Sequence, residues 1–233
     1  MRKETPYRIA GWKYLVGLWM AGVILGAFLY AREAQGFVVG AARIMFFHVP
    51  IAEMTVIAFW TSMVYAFHYL RKRERVADLK SVAAAEIGLL YCALATLTGS
   101  IFAGIMWNSF WNWDPRETSI LILLMLYGAY FGLRAAVEDE ERRATLAAVY
   151  NLFAGVVMPF LVFVVPRIPA LESLHPPNVL KQGFMSSDYR YVLYSSLLGF
   201  LGLFIWMFQL RLRIGLVEMR QEERALTPPV MVE

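Results

Sequence analysis

The 233-residue chain is poor in the residues on which soluble domains and many metal sites depend. Charged residues make up 17% of it, histidine occurs three times, and Cys92 is the only cysteine. One cysteine excludes an internal disulfide, a paired-cysteine redox centre and a cysteine-based zinc site. It also excludes the Cys-x-x-Cys-His signature of covalent haem attachment. We interpret Cys92 as a small packing residue within an apolar segment.

Apolar side chains are in excess, at 59% of the chain. This balance is typical of an integral membrane protein, in which a helix needs about 20 apolar residues to cross the hydrocarbon. Continuous apolar runs favour helices over a β-barrel. The sequence predicts one all-α domain over 1–233, a bundle of six transmembrane helices with a flexible cytoplasmic tail over 213–233. The predicted spans are roughly 12–31, 48–70, 82–106, 118–137, 144–166 and 191–212.

Basic residues are distributed unevenly between the two predicted sides of the membrane. Sixteen of the 22 Lys and Arg lie in the two termini and in the loops after the second and fourth spans, and six lie on the other side. Positive charge is retained on the cytoplasmic side. We therefore predict that both termini are cytoplasmic and that the other three loops face outward. No basic and aromatic surface on the inner loops indicates a nucleic-acid partner.

The predicted outer loop between the third and fourth spans is rich in tryptophan. Four aromatic residues lie within seven positions: Trp107, Phe110, Trp111 and Trp113. Tryptophan is enriched at membrane interfaces, so anchoring is one interpretation. Four large rings in one short loop exceed what anchoring needs. We favour a platform for a flat, amphipathic ligand such as a porphyrin.

Two of the three histidines are predicted to share a membrane face with this loop. His48 is expected in the first turn of the second helix. His175 is expected in the outer loop before the sixth span, where Pro176 and Pro177 stiffen the backbone. His68 lies about 30 Å from His48 at 1.5 Å per residue, on the opposite face. Imidazole is a suitable axial donor to haem iron, so we predict His48 and His175 as its ligands; headgroup or solvent contact is the alternative for each.

The residues after the tryptophans predict the start of the fourth helix. Asp114 fits the N-cap position, a proline follows at N1, and Glu117 at N3 completes a capping box. The positive end of the helix dipole would then face the aromatic loop, where an anion such as a haem propionate is favoured. By charge and position, the predicted propionate partners are Arg43, Arg116 and Arg167.

Polar residues within the predicted spans are costly to bury. Glu53, Glu86 and Asn151 are of this kind. We expect hydrogen bonds between helices for all three; for Glu53, orientation of a ligand in the outer leaflet is the alternative.

The segment from Trp107 to Thr118, with an outer histidine on either side, resembles the tryptophan-rich "WWD" signature of haem-handling proteins of cytochrome c biogenesis. The six-helix length and the runs Phe47-His48-Val49-Pro50 and Leu174-His175-Pro176-Pro177 resemble the CcmC family within that group. The resemblance extends from about residue 10 to 215. Asp114-Pro115-Arg116 and Trp107-Asn108 depart from the Asp-Ala-Arg and Trp-Gly common in CcmC, and the former is more similar to the larger CcsA-type synthases.

This resemblance implies a protein of the bacterial cytoplasmic membrane that holds haem b at the outer face. It implies that His48 and His175 are axial ligands. The loop residues implied to contact haem are Trp107, Phe110, Trp111, Trp113, Asp114 and Arg116. The implied partners are a CcmE-like chaperone that binds haem covalently, CcmA-like ATPase and CcmB-like permease subunits of an ABC transporter, and a small CcmD-like one-helix protein.

The sequence has no Walker motif, so ATP hydrolysis is expected from a partner and the chain itself is not expected to be an enzyme. Three alternatives remain open. One is a CcsA-type synthase that attaches haem to apocytochrome c. Another is a haem-exporting permease subunit, for which Glu53, Glu86 and Asn151 are thin evidence of a polar track. A b-type electron-transfer subunit would need histidine pairs within opposing helices, and His68 lies at the wrong depth for that.

Overall fold

The structure is a computed structural model that describes residues 10–32, 38, 40–175 and 185–226. These residues form helices and no strand. Six of the helical segments are long and apolar enough to cross a membrane. The predicted all-α class with six membrane-spanning helices is therefore confirmed.

Each predicted span coincides with a helix, although several helices are longer than predicted. The helices are α1 (Gly11–Leu25, continued by a π-helical turn over Gly26–Tyr30), α2 (Met45–Lys72, preceded by a 3-10 turn over Ala41–Ile44), α3 (Arg75–Trp107), α4 (Pro115–Ala136), α5 (Glu140–Pro159, continued over Phe160–Val164 and Val165–Arg167) and α6 (Ser187–Leu226). A short 3-10 turn over Pro169–Leu171 follows α5. Helix α6 continues through residues 213–226, beyond the predicted end of the sixth span at about 212. Residues 227–233 lie outside the described residues.

The helices alternate in direction, so the bundle has two distinct ends. We call the end with the α3–α4 connection (108–114) and the segment 168–175 the site end. The opposite end, where short connections join α2 to α3 and α4 to α5, is the hairpin end. Arg73 has a left-handed backbone, with φ of 56°, at the tight α2–α3 turn.

Small residues allow α2 and α3 to pack closely along the bundle. Gly88 of α3 lies under the ring of Phe59, where an added Cβ would stand 2.5 Å from the ring carbons. Phe59 in turn stacks on Tyr127 of α4, with ring centroids 3.4 Å apart. Such small-residue interfaces are a common way for membrane helices to approach each other.

A buried polar cluster ties α2, α3, α4 and α5 together. The Asn151 amide donates to the hydroxyls of Ser62 at 2.6 Å and Ser81 at 3.1 Å. Its carbonyl oxygen accepts from the Tyr127 hydroxyl at 3.1 Å. The interhelical hydrogen bonds expected for Asn151 are confirmed.

Charged side chains toward the hairpin end are paired between helices. Arg134 of α4 makes two 2.8 Å hydrogen bonds to Asp78 of α3. Arg211 of α6 binds both oxygens of Glu86 at 2.5 and 3.0 Å, which confirms the interhelical bonding expected for that residue. These pairs fix α3 against α4 and α6, and leave the site end to be shaped by its loops.

Candidate functional site

A cavity of about 800 Å³ opens at the site end of the bundle. Its volume lies within the range of small-molecule and cofactor sites. The walls come from α2, α3, α4 and α6, from the end of α5 and from the segment 168–175, and most are apolar. Six predicted site residues line it: His48, Trp107, Trp111, Arg116, Arg167 and His175.

The other predicted site residues lie outside the cavity wall. Phe110 and Trp113 are 69% and 70% exposed, and Phe110 packs against Gly104 of α3. Asp114 is buried behind the wall. Arg43 places its guanidinium 6.0 Å from the ring centroid of Phe28. Contacts of these four residues with a ligand remain predictions.

The tryptophans reach the cavity from a loop rather than from one helical face. Helix α3 ends at Trp107, because Asn108 adopts a left-handed backbone with φ of 55°. Trp107 lies edge-on to the His175 ring, with centroids 5.1 Å apart and planes at 72°. Trp111 lies perpendicular to Trp113 at a centroid distance of 5.8 Å. Two indoles therefore line the cavity, and a third supports one of them from outside.

The start of α4 has the predicted capping box. The carboxylate of Asp114 accepts the backbone N–H of Arg116 at 2.8 Å. The Glu117 carboxylate accepts the backbone N–H of Asp114 at 3.3 Å and that of Asn112 at 2.7 Å. Local rules for helix starts were sufficient to predict these contacts, except for the one to Asn112.

Asp114 also holds the segment that carries His175, which the sequence did not indicate. One oxygen accepts the Ser173 hydroxyl at 2.9 Å and the Leu174 N–H at 2.7 Å. The other oxygen lies 3.1 Å from Nδ1 of His175. These partners are about sixty positions apart in the chain, so no local pattern could have linked them.

The two ionisable groups of this contact differ in charge at neutral pH. Burial raises the pKa of Asp114, but the Arg116 N–H, His175, the Ser173 hydroxyl and the Leu174 N–H outweigh it, so that the pKa lies below its ordinary value. Burial lowers the pKa of His175, against the opposing effect of Asp114. A neutral imidazole facing a carboxylate must donate from Nδ1, which leaves the lone pair on Nε2.

His48 has a comparable partner on α3. Its Nδ1 lies 2.9 Å from the hydroxyl oxygen of Thr98. The ring packs on Gly99, where an added Cβ would stand 3.0 Å from Cε1. As predicted, His48 lies in the first turn of α2, which begins at Met45. Sequence reasoning missed Thr98 and Gly99 because they reach His48 only through the packing of α3 against α2.

Arg116 brings an uncompensated polar atom to the cavity. Its Nε is buried without a hydrogen-bond partner within the described residues. Arg167 also lines the cavity, and one of its guanidinium nitrogens donates to the Phe163 carbonyl at 2.7 Å. Glu53 also lines the cavity, and within the described residues its side chain does not make the interhelical hydrogen bond that was expected. A cationic group in a largely apolar cavity favours an anionic ligand group.

The remaining residues singled out from the sequence lie away from the cavity. His68 lies toward the hairpin end, with its ring centroid 6.4 Å from that of Tyr65. Cys92 is fully buried, as expected for a packing residue. Pro176 and Pro177, predicted to stiffen the backbone after His175, lie outside the described residues.

Comparison with known proteins gives a consistent result. A family model described as "Heme exporter protein C" matches residues 5–227. Heme exporter protein C of Bradyrhizobium diazoefficiens is 33% identical over 171 residues, 72% of this chain and just under two thirds, 64%, of that protein. The protein of that name from Paracoccus denitrificans is 31% identical over 221 residues, 89% of this chain and 84% of the relative. The one from Escherichia coli is 30% identical over 225 residues, 92% of this chain and 89% of the relative.

Proposed function

This chain belongs to the heme exporter protein C family, and from that membership and the cavity at the site end we propose that it binds haem b and hands it on for cytochrome c maturation. The observation that carries the proposal is the pair of imidazoles on the wall of one cavity. His48 comes from a helix and His175 from a loop segment, and each has its Nδ1 engaged by an oxygen. In each ring Nε2 would then carry the lone pair that can bind iron.

The residues around the cavity fit haem as a ligand. Haem supplies an iron with two open axial positions, a flat apolar ring and two carboxylates. His48 and His175 would hold the iron, and Trp107 and Trp111 would contact the ring. Arg116, whose buried Nε has no partner within the described part of the chain, would bind a propionate, with Arg167 as the second cation.

Asp114 has a different role in this proposal from that of a ring contact. It sets the orientation and tautomer of His175, as carboxylates do behind many metal-bound histidines. Phe110 and Trp113, exposed beside the cavity mouth, would contact haem only at its outer edge or during its transfer. Arg43 is the weakest of the predicted propionate partners because it lies outside the cavity wall.

The same proposal includes a location and an orientation. The excess of Lys and Arg in the termini and in the hairpin-end loops supports a cytoplasmic hairpin end. The site end would then face the periplasm from the bacterial cytoplasmic membrane. Haem held there would be accessible to a water-exposed acceptor and separated from cytoplasmic reductants.

We further propose that the chain positions haem without itself forming or breaking covalent bonds. A CcmE-like chaperone would take the haem. ATP hydrolysis would come from the CcmA-like ATPase of an ABC transporter, which would associate with the chain together with a CcmB-like permease and a CcmD-like one-helix protein. Copurification of tagged full-length protein with each partner tests this set, and a partner that fails to copurify with it would contradict that part of the proposal.

The experiment that tests haem binding is the absorption spectrum of the purified full-length protein, with extraction of its pigment. Low-spin bands and an extractable b-type haem are expected. Substitution of His48 or His175 by Ala should remove or alter the low-spin bands because each would supply one nitrogen to the iron. The matched control is His68→Ala, which removes a histidine at the other end of α2 and should leave the spectrum unchanged. A haem spectrum that stays unchanged when either His48 or His175 is substituted would contradict the ligand assignment.

A further inference from the structure

We propose that the two axial imidazoles are unequal in strength: Asp114 makes His175 the stronger haem ligand, and Thr98 positions His48 as the weaker one. The His48 face of the iron would then open first to an incoming imidazole of an acceptor protein. This inference rests on the proposed haem-binding function. Thr98 is a positioning residue here, since it acts on haem only through His48.

The Thr98 hydroxyl donates its hydrogen to a backbone carbonyl within α3. The oxygen lies 2.7 Å from the carbonyl oxygen of Leu94 and 3.3 Å from that of Ala95. A hydroxyl has a single hydrogen to donate. Toward His48 the Thr98 oxygen can therefore only accept. Nδ1 of His48 carries the proton, Nε2 carries the lone pair, and the acceptor behind the ring is neutral.

The acceptor behind His175 carries a full charge. Asp114 is buried, and its oxygens accept hydrogen bonds from the Arg116 N–H, the Ser173 hydroxyl and the Leu174 N–H, which favour the ionised carboxylate. One of these oxygens is 3.1 Å from Nδ1 of His175. Hydrogen bonds to an ionised acceptor are about twice as strong as neutral ones. A carboxylate behind a metal-bound histidine raises the basicity of the coordinating nitrogen. His175 is therefore the better electron donor of the pair.

Both rings are held in place, so donor strength rather than mobility separates them. His48 is confined by α2 and by its contact with Gly99. His175 is fixed through three contacts of the segment 173–175 with Asp114. Because neither ring is loose, the weaker iron–nitrogen bond is the one expected to yield when a competing imidazole arrives.

The test measures haem affinity of the full-length protein in four variants. His175→Gly should lose more affinity than His48→Gly. Asp114→Asn should lower the affinity by about 10- to 100-fold, the usual effect of removing a partner of a metal-bound histidine. Thr98→Val should lower it by less than Asp114→Asn. Asn remains a good N-cap, so Asp114→Asn keeps the start of α4.

Two controls separate positioning from folding. Thr98→Ser keeps the hydroxyl and should restore the affinity lost in Thr98→Val. Thr61→Val is the matched control because the Thr61 hydroxyl makes the same type of bond, 2.7 Å to the carbonyl of Ile57, away from the cavity. It should leave haem affinity unchanged.

A spectroscopic measurement adds a result that a purely structural role would not produce. In ferrous haem complexes, the iron–histidine stretching frequency should be higher with His175 alone, in His48→Gly, than with His48 alone, in His175→Gly. Adding Asp114→Asn to His48→Gly should lower that frequency. Equal frequencies, or a greater loss of affinity in His48→Gly, would overturn the inequality while leaving the haem site intact. If neither glycine variant changes haem binding, the proposed function fails together with this inference.

Discussion

The two ends of the bundle differ in whether their buried polar groups are paired. Toward the hairpin end, Asp78 pairs with Arg134 and Glu86 with Arg211, and each pair joins two helices. At the site end, buried polar atoms without a partner belong to Arg43, Arg116, Glu117 and Ser119, four of the five such residues in the described part of the chain. Unpaired buried groups cost free energy. The hairpin end is thus stabilised by paired charges, whereas the site end leaves buried polar atoms unpaired, which fits the ligand site proposed there.

The largest expected effect of a substitution is on stability, at the hairpin end. Arg134→Met leaves the carboxylate of Asp78, whose side chain is 16% exposed, without its cation. Breaking a buried pair in this way typically costs 3–5 kcal/mol, so we expect a loss of about 3 kcal/mol in the free energy of unfolding. Denaturant unfolding in detergent micelles measures it.

The control for this substitution is Arg75→Met, which breaks an exposed pair. The side chains of Arg75 and Glu140 are 44% and 54% exposed, and such surface pairs contribute about 0–1 kcal/mol. Similar losses for Arg75→Met and Arg134→Met would contradict the view that buried pairing stabilises this end.

A smaller effect, on binding rather than stability, is expected at the site end. Arg116→Gln removes one of the two arginines that line the cavity and should weaken haem binding by about 1.5–3 kcal/mol, the range for a hydrogen bond to a charged group. Arg43→Gln should cost less because Arg43 lies outside the cavity wall. Titration with haem and with its dimethyl ester measures both. If the ester, which lacks propionate charge, shows the same loss, Arg116 does not act on a propionate.

Gly99 tests how closely α3 fits against the His48 ring. Gly99→Ala places a Cβ about 3.0 Å from Cε1 of His48, so the imidazole must shift. We expect the free energy of unfolding to fall by about 1–3 kcal/mol, as is typical of overpacking, and the low-spin haem spectrum to change. Gly128→Ala on α4, where an added Cβ meets nothing within 4 Å, should leave the spectrum unchanged. An unaltered spectrum in Gly99→Ala would mean that His48 is free to move.

The smallest expected effect is on the pH dependence of stability. The pKa of His175 lies below its ordinary value of 6.5 because of burial, so the folded protein binds this proton less readily than the unfolded chain. Stability of the haem-free protein should therefore fall as pH decreases below about 6.5. Asp114 also has a lowered pKa, and its contribution should be lost only below its ordinary value of 3.8. In His175→Gln the loss below about pH 6.5 should become smaller, and an unchanged loss would contradict a contribution from His175.

Features set by near neighbours in the chain were predictable. Span lengths, the capping box from Asp114 to Glu117 and the place of His48 in the first turn of α2 follow from local rules. The end of α6 was not predictable. Residues 213–226 have the polar composition of a tail, but they continue a long helix. Thr98 and Gly99 were also missed, since only the packing of α3 on α2 brings them to His48.

The aromatic loop shows a different limit of sequence reasoning. The sequence predicted that the four rings form one platform, but the chain turns at Asn108 and separates them. Trp107 and Trp111 line the cavity, while Phe110 and Trp113 are largely exposed. Residue composition does not show where a side chain points, because its direction depends on the backbone conformation at each loop position.

The backbone of Trp113 illustrates this dependence. Its φ of 57° is rare for a bulky residue and costs on the order of 1–3 kcal/mol. That turn directs the next residue, Asp114, toward both the first turn of α4 and His175. A glycine at position 113 would relax the torsion and delete the indole, whereas an alanine would delete the indole alone. Comparing these two replacements separates the contribution of the indole from that of the backbone turn at position 113.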